Sequence, residues 1–127
     1  MDVATLARAQ AVNRLWMGSG LILLPGLLGR VWVGSAAVDD RTKVLARSLG
    51  ARDLALGAAG VLALRDGDRR WASRSFGAQA FADAVDFLAI VAGPRVPLGS
   101  RIVGGAMAAG SAAVAALYAR RLATGHA

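Results

Sequence analysis

The segment that decides the fold is Ile102–Tyr118, which reads IVGGAMAAGSAAVAALY. It contains no charged residue, and its only side chains with polar atoms are those of Ser111 and Tyr118. An α-helix that is apolar around its whole circumference lies either inside a large protein or in lipid. A chain of 127 residues is too short to bury several such helices in its own core. The segment therefore predicts an integral membrane protein.

Three further apolar segments precede this one along the chain. Together they predict an all-α, four-span transmembrane helical bundle that forms a single domain over residues 1–127. The predicted spans cover roughly residues 15–28, 48–64, 75–91 and 102–118. Pro25 and Gly26 stop or kink the first helix, so a start further back, near Thr5, also fits the pattern.

The basic residues stand mostly singly near the predicted span ends, with 15 Lys and Arg against 8 Asp and no Glu. This distribution is typical of contact with anionic lipid headgroups. Nucleic-acid binding, which favours dense basic runs with interleaved aromatic residues, is not expected. With the N-terminus in the cytoplasm, eight basic residues lie on the cytoplasmic side and six on the other. The count predicts a multi-pass protein of the cell (inner) membrane with both termini in the cytoplasm.

Composition excludes several kinds of site. The chain has no cysteine, which excludes a disulfide, a thiolate zinc site and a cysteine nucleophile. Its single histidine is His126, so neither a histidine-based triad nor a two-histidine metal site can form. The Asp83-x-x-Asp86 pair lacks the further carboxylates and the phosphate clamp of a magnesium–diphosphate site. We therefore predict no metal and no cofactor.

Four ionisable residues lie inside the predicted spans: Arg52, Asp53, Asp83 and Asp86. Each costs about 2.5–3.5 kcal/mol near a helix centre, so the second and third helices are expected to enter lipid with their charges facing each other. Arg52 lies about 7.5 Å beyond Arg47, and Asp86 lies about 18 Å from the opposite end of its helix. Across about 27 Å of hydrocarbon these depths coincide. They predict an Arg52–Asp86 ion pair with Asp53 and Asp83 nearby.

Small residues on the second helix form a stripe at helical spacing. Gly50, Asp53, Gly57 and Gly60 recur at intervals of three and four residues, a pattern that lets two helix backbones approach closely. The stripe predicts self-association as a homodimer or another homo-oligomer. The alternative is that the stripe is used within one chain.

Two interpretations of the charged residues stay open. In one, the charges neutralise each other and set the helix register. In the other, the excess of carboxylates leaves one free as an acid or proton carrier, because burial in a low dielectric favours the neutral carboxyl. The candidate catalytic residues are Asp83, Asp86, Arg52 and Asp53, with Arg47 and Gln79 as further candidates.

The two function classes follow from these interpretations. The first is a membrane subunit or small transport or proton-coupled component, with the lipid bilayer as its partner. The alternative is a membrane-embedded acid–base enzyme, of isomerase, cyclase or hydrolase type, that acts on a lipophilic small molecule. The short chain favours the first, and the polar stripe formed by Gln79, Asp83 and Asp86 favours the second. Whether the protein is an enzyme is left open.

Two segments, Ala46–Gly57 (ARSLGARDLALG) and Ala80–Asp86 (AFADAVD), resemble an uncharacterised family of small bacterial four-helix integral membrane proteins. That family shows an Arg-x-Leu-Gly-x-Arg-Asp run followed by a later Asp-x-x-Asp. The resemblance covers about Thr42 to Val91 and brings no activity with it. It implies the four-span architecture and a shared importance for Arg47, Arg52, Asp53, Asp83 and Asp86.

Overall fold

A computed structural model describes residues 3–30 and 34–125, and these two ranges are helical with no β-strand. His126 lies outside them. The long helices are α1 (Val3–Leu23), α2 (Asp40–Asp66), α3 (Arg69–Ala92) and α4 (Leu98–Thr124). A one-turn helix, Pro25–Leu28, and a 3-10 helix, Gly34–Val38, lie in the connection between α1 and α2. The all-helical prediction is confirmed.

Capping side chains and one glycine define the connection of α2 to its neighbours. Asp39 accepts hydrogen bonds from the backbone nitrogens of Arg41 and Thr42, and so begins α2. Asp68 caps α3 in the same way. Between these helices Gly67 has a φ of +71°, a left-handed conformation that ends α2 and that glycine adopts most readily.

The first helix differs most from its predicted bounds. It runs from Val3 to Leu23, because Pro25 starts a new helical turn instead of continuing the helix. The earlier of the two predicted starts, near Thr5, is therefore the correct one, and residues 24–28 fall outside α1. This placement moves Arg14 from the beginning of the helix to its middle.

The four long helices form a ring in which sequence neighbours are also neighbours in space. α1 packs closely against α2 and α3 packs closely against α4, while α2 meets α3 and α1 meets α4. A Cβ atom on Gly18 would lie 2.6 Å from the carbonyl oxygen of Gly50, and one on Gly57 would lie 2.9 Å from that of Ala11. The small-residue stripe of α2 is thus used within the chain, against α1.

The apolar core lies towards the end of the bundle that carries the termini. There Phe76 of α3 and Tyr118 of α4 meet edge to face, with ring centroids 4.9 Å apart. Small alanines from all four helices fill the space around these rings. In the middle of the bundle, by contrast, charged side chains lie between the helices.

The outer surface of the bundle is strongly apolar. Phe81 and Leu88 on α3 and Ile102 on α4 are each more than 60% exposed, and many smaller apolar side chains surround them. Two of the described helices, α3 and α4, are long and apolar enough to cross a membrane by length and composition. α1 and α2 fall short of the same criterion, since each carries charged side chains in its interior.

Candidate functional site

Five charged side chains meet in the middle of the bundle and alternate in sign. In the order of their contacts they are Asp86, Arg52, Asp53, Arg14 and Asp83. We call this set the charged cluster. Each member lies well inside its helix; Asp53, for example, is the fourteenth of the 27 residues of α2. Three of the helices, α1, α2 and α3, supply these charges.

The outer half of the cluster is the pair that the depth argument predicts. Arg52 donates from Nη1 to Asp86 Oδ1 at 2.9 Å and from Nη2 to Asp86 Oδ2 at 2.6 Å. This is a bidentate arrangement, the strongest form of an arginine–carboxylate contact. Nη2 also donates to Asp53 Oδ1 at 3.3 Å. The predicted contact between α2 and α3 is therefore confirmed.

The inner half depends on Arg14, which is only 5% exposed. Its Nη1 donates to Asp53 Oδ1 at 2.8 Å, and its guanidinium also forms an ion pair with Asp83. Arg14 thereby joins α1 to both α2 and α3. A buried arginine without such partners would be costly in the bundle interior, and here it has two carboxylates.

A hydrogen-bonded chain extends the cluster to the fourth helix. Ser111 of α4 donates from Oγ to Asp83 Oδ2 at 2.6 Å. Gln10 of α1 donates from Nε2 to Ser111 Oγ at 2.9 Å and to the Ser111 carbonyl oxygen at 3.1 Å. Ser111 is thus at the depth of Asp83, as its sequence position suggests. All four long helices are linked at one level.

The carboxylates differ in their access to the exterior. The side chain of Asp83 is 7% exposed, that of Asp53 15% and that of Asp86 22%. Exposure therefore rises from the Asp83 end of the cluster to the Arg52–Asp86 end. Asp86 is thus the most exposed of the three carboxylates and Asp83 the most buried.

A small cavity lies along the cluster. Its volume is about 100 Å³, and its walls include all three carboxylates, those of Asp53, Asp83 and Asp86, together with Gln10 and Ser111. At about 30 Å³ per molecule of liquid water, it has room for a few waters. Gln10 Oε1 and Arg14 Nε are buried without a hydrogen-bond partner in the described ranges, and water is the usual partner of such atoms.

Two of the candidate residues lie outside the cluster. Arg47 is exposed, and its Nε donates to the carbonyl oxygen of Ile22 at 3.3 Å. Gln79 is fully buried, but its Nε2 donates to the carbonyl oxygen of Leu56, closer to the Phe76 end of the bundle. Among the described residues, no hydrogen bond or ion pair joins Arg47 or Gln79 to Asp83 or Asp86.

Arg14 is the residue that sequence reasoning missed. The sequence pattern places Arg14 among the basic residues at a span end and predicts one arginine in the cluster, whereas the structure has two. The signal that identifies it is Pro25: a helix that ends before this proline and spans a bilayer must start near residue 5, which places Arg14 in its centre. Without Arg14 the count of flanking basic residues becomes seven against six.

The chemistry available to the cluster follows from its composition. With every group ionised, two arginines and three aspartates carry a formal charge of −1. Because the guanidinium groups lie between the carboxylates, no group of three or more metal-ligating side chains converges among the described residues. The arrangement is suited to holding a proton.

No protein-family model, curated protein or solved structure matches this chain significantly. The resemblance to small bacterial four-helix membrane proteins therefore stays a prediction.

Proposed function

We propose that this chain is a four-span integral membrane protein whose charged cluster accepts and releases a proton, as a small proton-coupled membrane component. The observation that carries the proposal is the imbalance of three aspartates against two arginines in a buried site beside a water-sized cavity. An uncompensated charge in a low-dielectric interior is expensive, and one proton would make the cluster neutral.

The distribution of charge along the helices supports four spans. Apart from the cluster, each long helix has an uncharged band: residues 9–23, 48–64, 75–92 and 102–119. α1, with 21 residues, is the shortest of the four helices, and its length of about 31 Å matches a hydrocarbon core of about 30 Å. Of the charges that lower the hydropathy of α1 and α2, Arg14, Arg52 and Asp53 are paired with one another and with α3, whereas Arg8 is exposed in the second turn of α1.

The size of the cavity favours proton exchange over the enzyme alternative. An acid–base enzyme for a lipophilic substrate needs its acid in a pocket of about 300–1,000 Å³. The cavity beside Asp83 measures about 100 Å³, which fits waters but not such a substrate. Waters beside a carboxylate are sufficient for proton transfer.

The sequence also predicts the orientation of the chain in the membrane and its self-association. Four antiparallel spans would place both termini on one side, and the proposed cytoplasmic side now carries an excess of one basic residue. The stripe on α2 packs against α1, so it offers no surface for a second copy. The proposal therefore concerns a single chain.

Single cysteines test the spans, because the chain has none of its own. We would introduce Ser35→Cys and Asp66→Cys separately and measure labelling of each by a membrane-impermeant maleimide in intact cells, with permeabilised cells as the control. Four spans place the two sites on opposite sides of the membrane. If only α3 and α4 cross it, both sites lie on the same side, which would contradict the proposal.

Proton flux into proteoliposomes tests whether the protein carries protons. A pH-sensitive dye inside the vesicles reports proton entry when a potassium diffusion potential is imposed. We expect the wild-type protein to carry protons faster than protein-free vesicles, and Asp83→Asn to lose this activity. Asp66→Asn, an exposed carboxylate at the end of α2, is the matched control and should behave as wild type. A wild-type rate equal to that of empty vesicles at both polarities would refute proton movement.

A further inference from the structure

A second cavity lies on the outside of the bundle, away from Asp83. Its volume is about 480 Å³, within the range of about 300–1,000 Å³ typical of ligand sites. Leu21 of α1, Gly29 and the first half of α2, including Leu45, Ala46 and Leu49, form its mostly apolar walls. We call it the lateral cavity. Its lining suits an aliphatic chain.

Arg52 closes the inner end of the lateral cavity. Its guanidinium is already bound to both oxygens of Asp86 and to Asp53. The inner end therefore offers no unbalanced positive charge to an anionic group. A ligand that enters must place its apolar part inward and leave any charged group at the outer rim.

The outer rim is basic. Arg41 precedes Leu45 by four residues, so it lies one turn further out on the same face of α2. Arg47 is also at this end of the bundle, but it lies on the face of α2 away from the cavity, where its Nε donates to the carbonyl oxygen of Ile22. Lys43 is paired with Asp40 at 2.8 Å, a hydrogen bond that lowers the pKa of that carboxyl.

The charge of this end can be counted from the sequence. Residues 30–47 contain four basic side chains and two acidic ones, a formal net charge of +2. A basic rim above an apolar cavity is complementary to an amphiphile with an anionic head. The cavity is continuous with the helix surfaces that the proposed function places in lipid.

We propose that the lateral cavity binds one acyl chain of an anionic phospholipid, whose phosphate lies against Arg41. The occupant is a lipid and not a soluble anion because the walls are apolar and the charges lie only at the rim. The site depends on the membrane placement of the helices but not on proton exchange by the charged cluster. Its test therefore stands apart from the proton flux measurement.

Native mass spectrometry of the protein released from detergent tests the site. The protein is incubated with phosphatidylglycerol, with phosphatidylcholine of the same chain length, or with glycerophosphate, which has the head but no acyl chain. We expect a retained adduct of a single phosphatidylglycerol, about tenfold less phosphatidylcholine and no glycerophosphate adduct.

Two phenylalanine variants provide the matched comparison. Ala46→Phe fills the cavity and should lower phosphatidylglycerol binding about tenfold. Ala55→Phe adds the same side chain nine residues later, on the opposite, exposed side of α2, and should bind as wild type. Circular dichroism checks that both variants fold.

A third variant, Arg41→Gln, tests the charge at the rim. Because Arg41 is exposed, this substitution should remove the preference for the anionic lipid without loss of structure.

Each other outcome overturns the proposal. Equal retention of both lipids would remove the anionic preference. Equal binding by the Ala46→Phe and Ala55→Phe variants would place the lipid elsewhere. A dimer without bound lipid would show that a second copy of the chain covers the cavity.

Discussion

Arg14→Gln should be one of the most damaging single substitutions in the middle of the bundle. It removes the guanidinium that is hydrogen bonded to Asp53 and paired with Asp83, in a site where Arg14 is 5% exposed. Asp53 still receives a hydrogen bond from Arg52 at 3.3 Å, but Asp83 keeps only the hydroxyl of Ser111. The loss therefore falls mainly on Asp83.

The magnitude follows from the charge count. The cluster changes from a formal −1 to −2, and a buried pair that loses one partner typically costs about 3–5 kcal/mol of unfolding free energy. Asp83→Asn in the same background restores the formal charge to −1. The double variant should then keep mainly the cost of the lost Arg14–Asp53 hydrogen bond, about 1.5–3 kcal/mol. The second substitution is expected to rescue the first.

Unfolding by titration with dodecyl sulfate in mixed micelles, followed by helical circular dichroism, measures these free energies. Arg8→Gln is the matched control, because Arg8 is exposed on the same helix and should change stability by less than about 0.5 kcal/mol. The reasoning fails if Arg14→Gln costs no more than Arg8→Gln. It fails equally if the double variant loses the sum of the two single losses, since contacting residues should couple.

Three further predictions concern other parts of the bundle. Arg52→Leu should destabilise by about 3–5 kcal/mol because it leaves the cluster at a formal −2, and adding Asp86→Leu, which returns it to −1, should restore part of that loss; additive losses in thermal unfolding would show that the two residues do not interact. Gly57→Ala should cost about 1–3 kcal/mol because its Cβ would lie 2.9 Å from the Ala11 carbonyl oxygen, whereas Gly77→Ala, with open space around it, should stabilise by up to about 1 kcal/mol. Equal changes in the free energy of unfolding for these two variants, measured in the dodecyl sulfate titration, would contradict the close contact of α1 and α2. The chain should stay with the membrane pellet through an alkaline carbonate wash and leave it only in detergent, so a monomer in the wash would contradict membrane insertion.

The features that could be predicted from sequence are those that depend on position along one helix. The uncharged bands are such a signal, and they describe the helices well. The Arg52–Asp86 pair was also predictable, because insertion cost and rise per residue constrain the depth of a charge in an antiparallel pair. The distance of a residue from the end of its helix follows from its residue number and the rise per residue, once the helix end is known.

The partners of Arg14 and the size of the two cavities required the tertiary structure. They depend on how far each helix is rotated about its axis and how closely it approaches its neighbours. Contacts such as the one between Gly18 and Gly50 determine both quantities, and these contacts join residues far apart in the chain. By itself the sequence therefore determined the helices, their apolar bands and the depth of the charges on α2 and α3. The tertiary structure decided that a second arginine, Arg14, divides the carboxylates and leaves only a water-sized space beside Asp83.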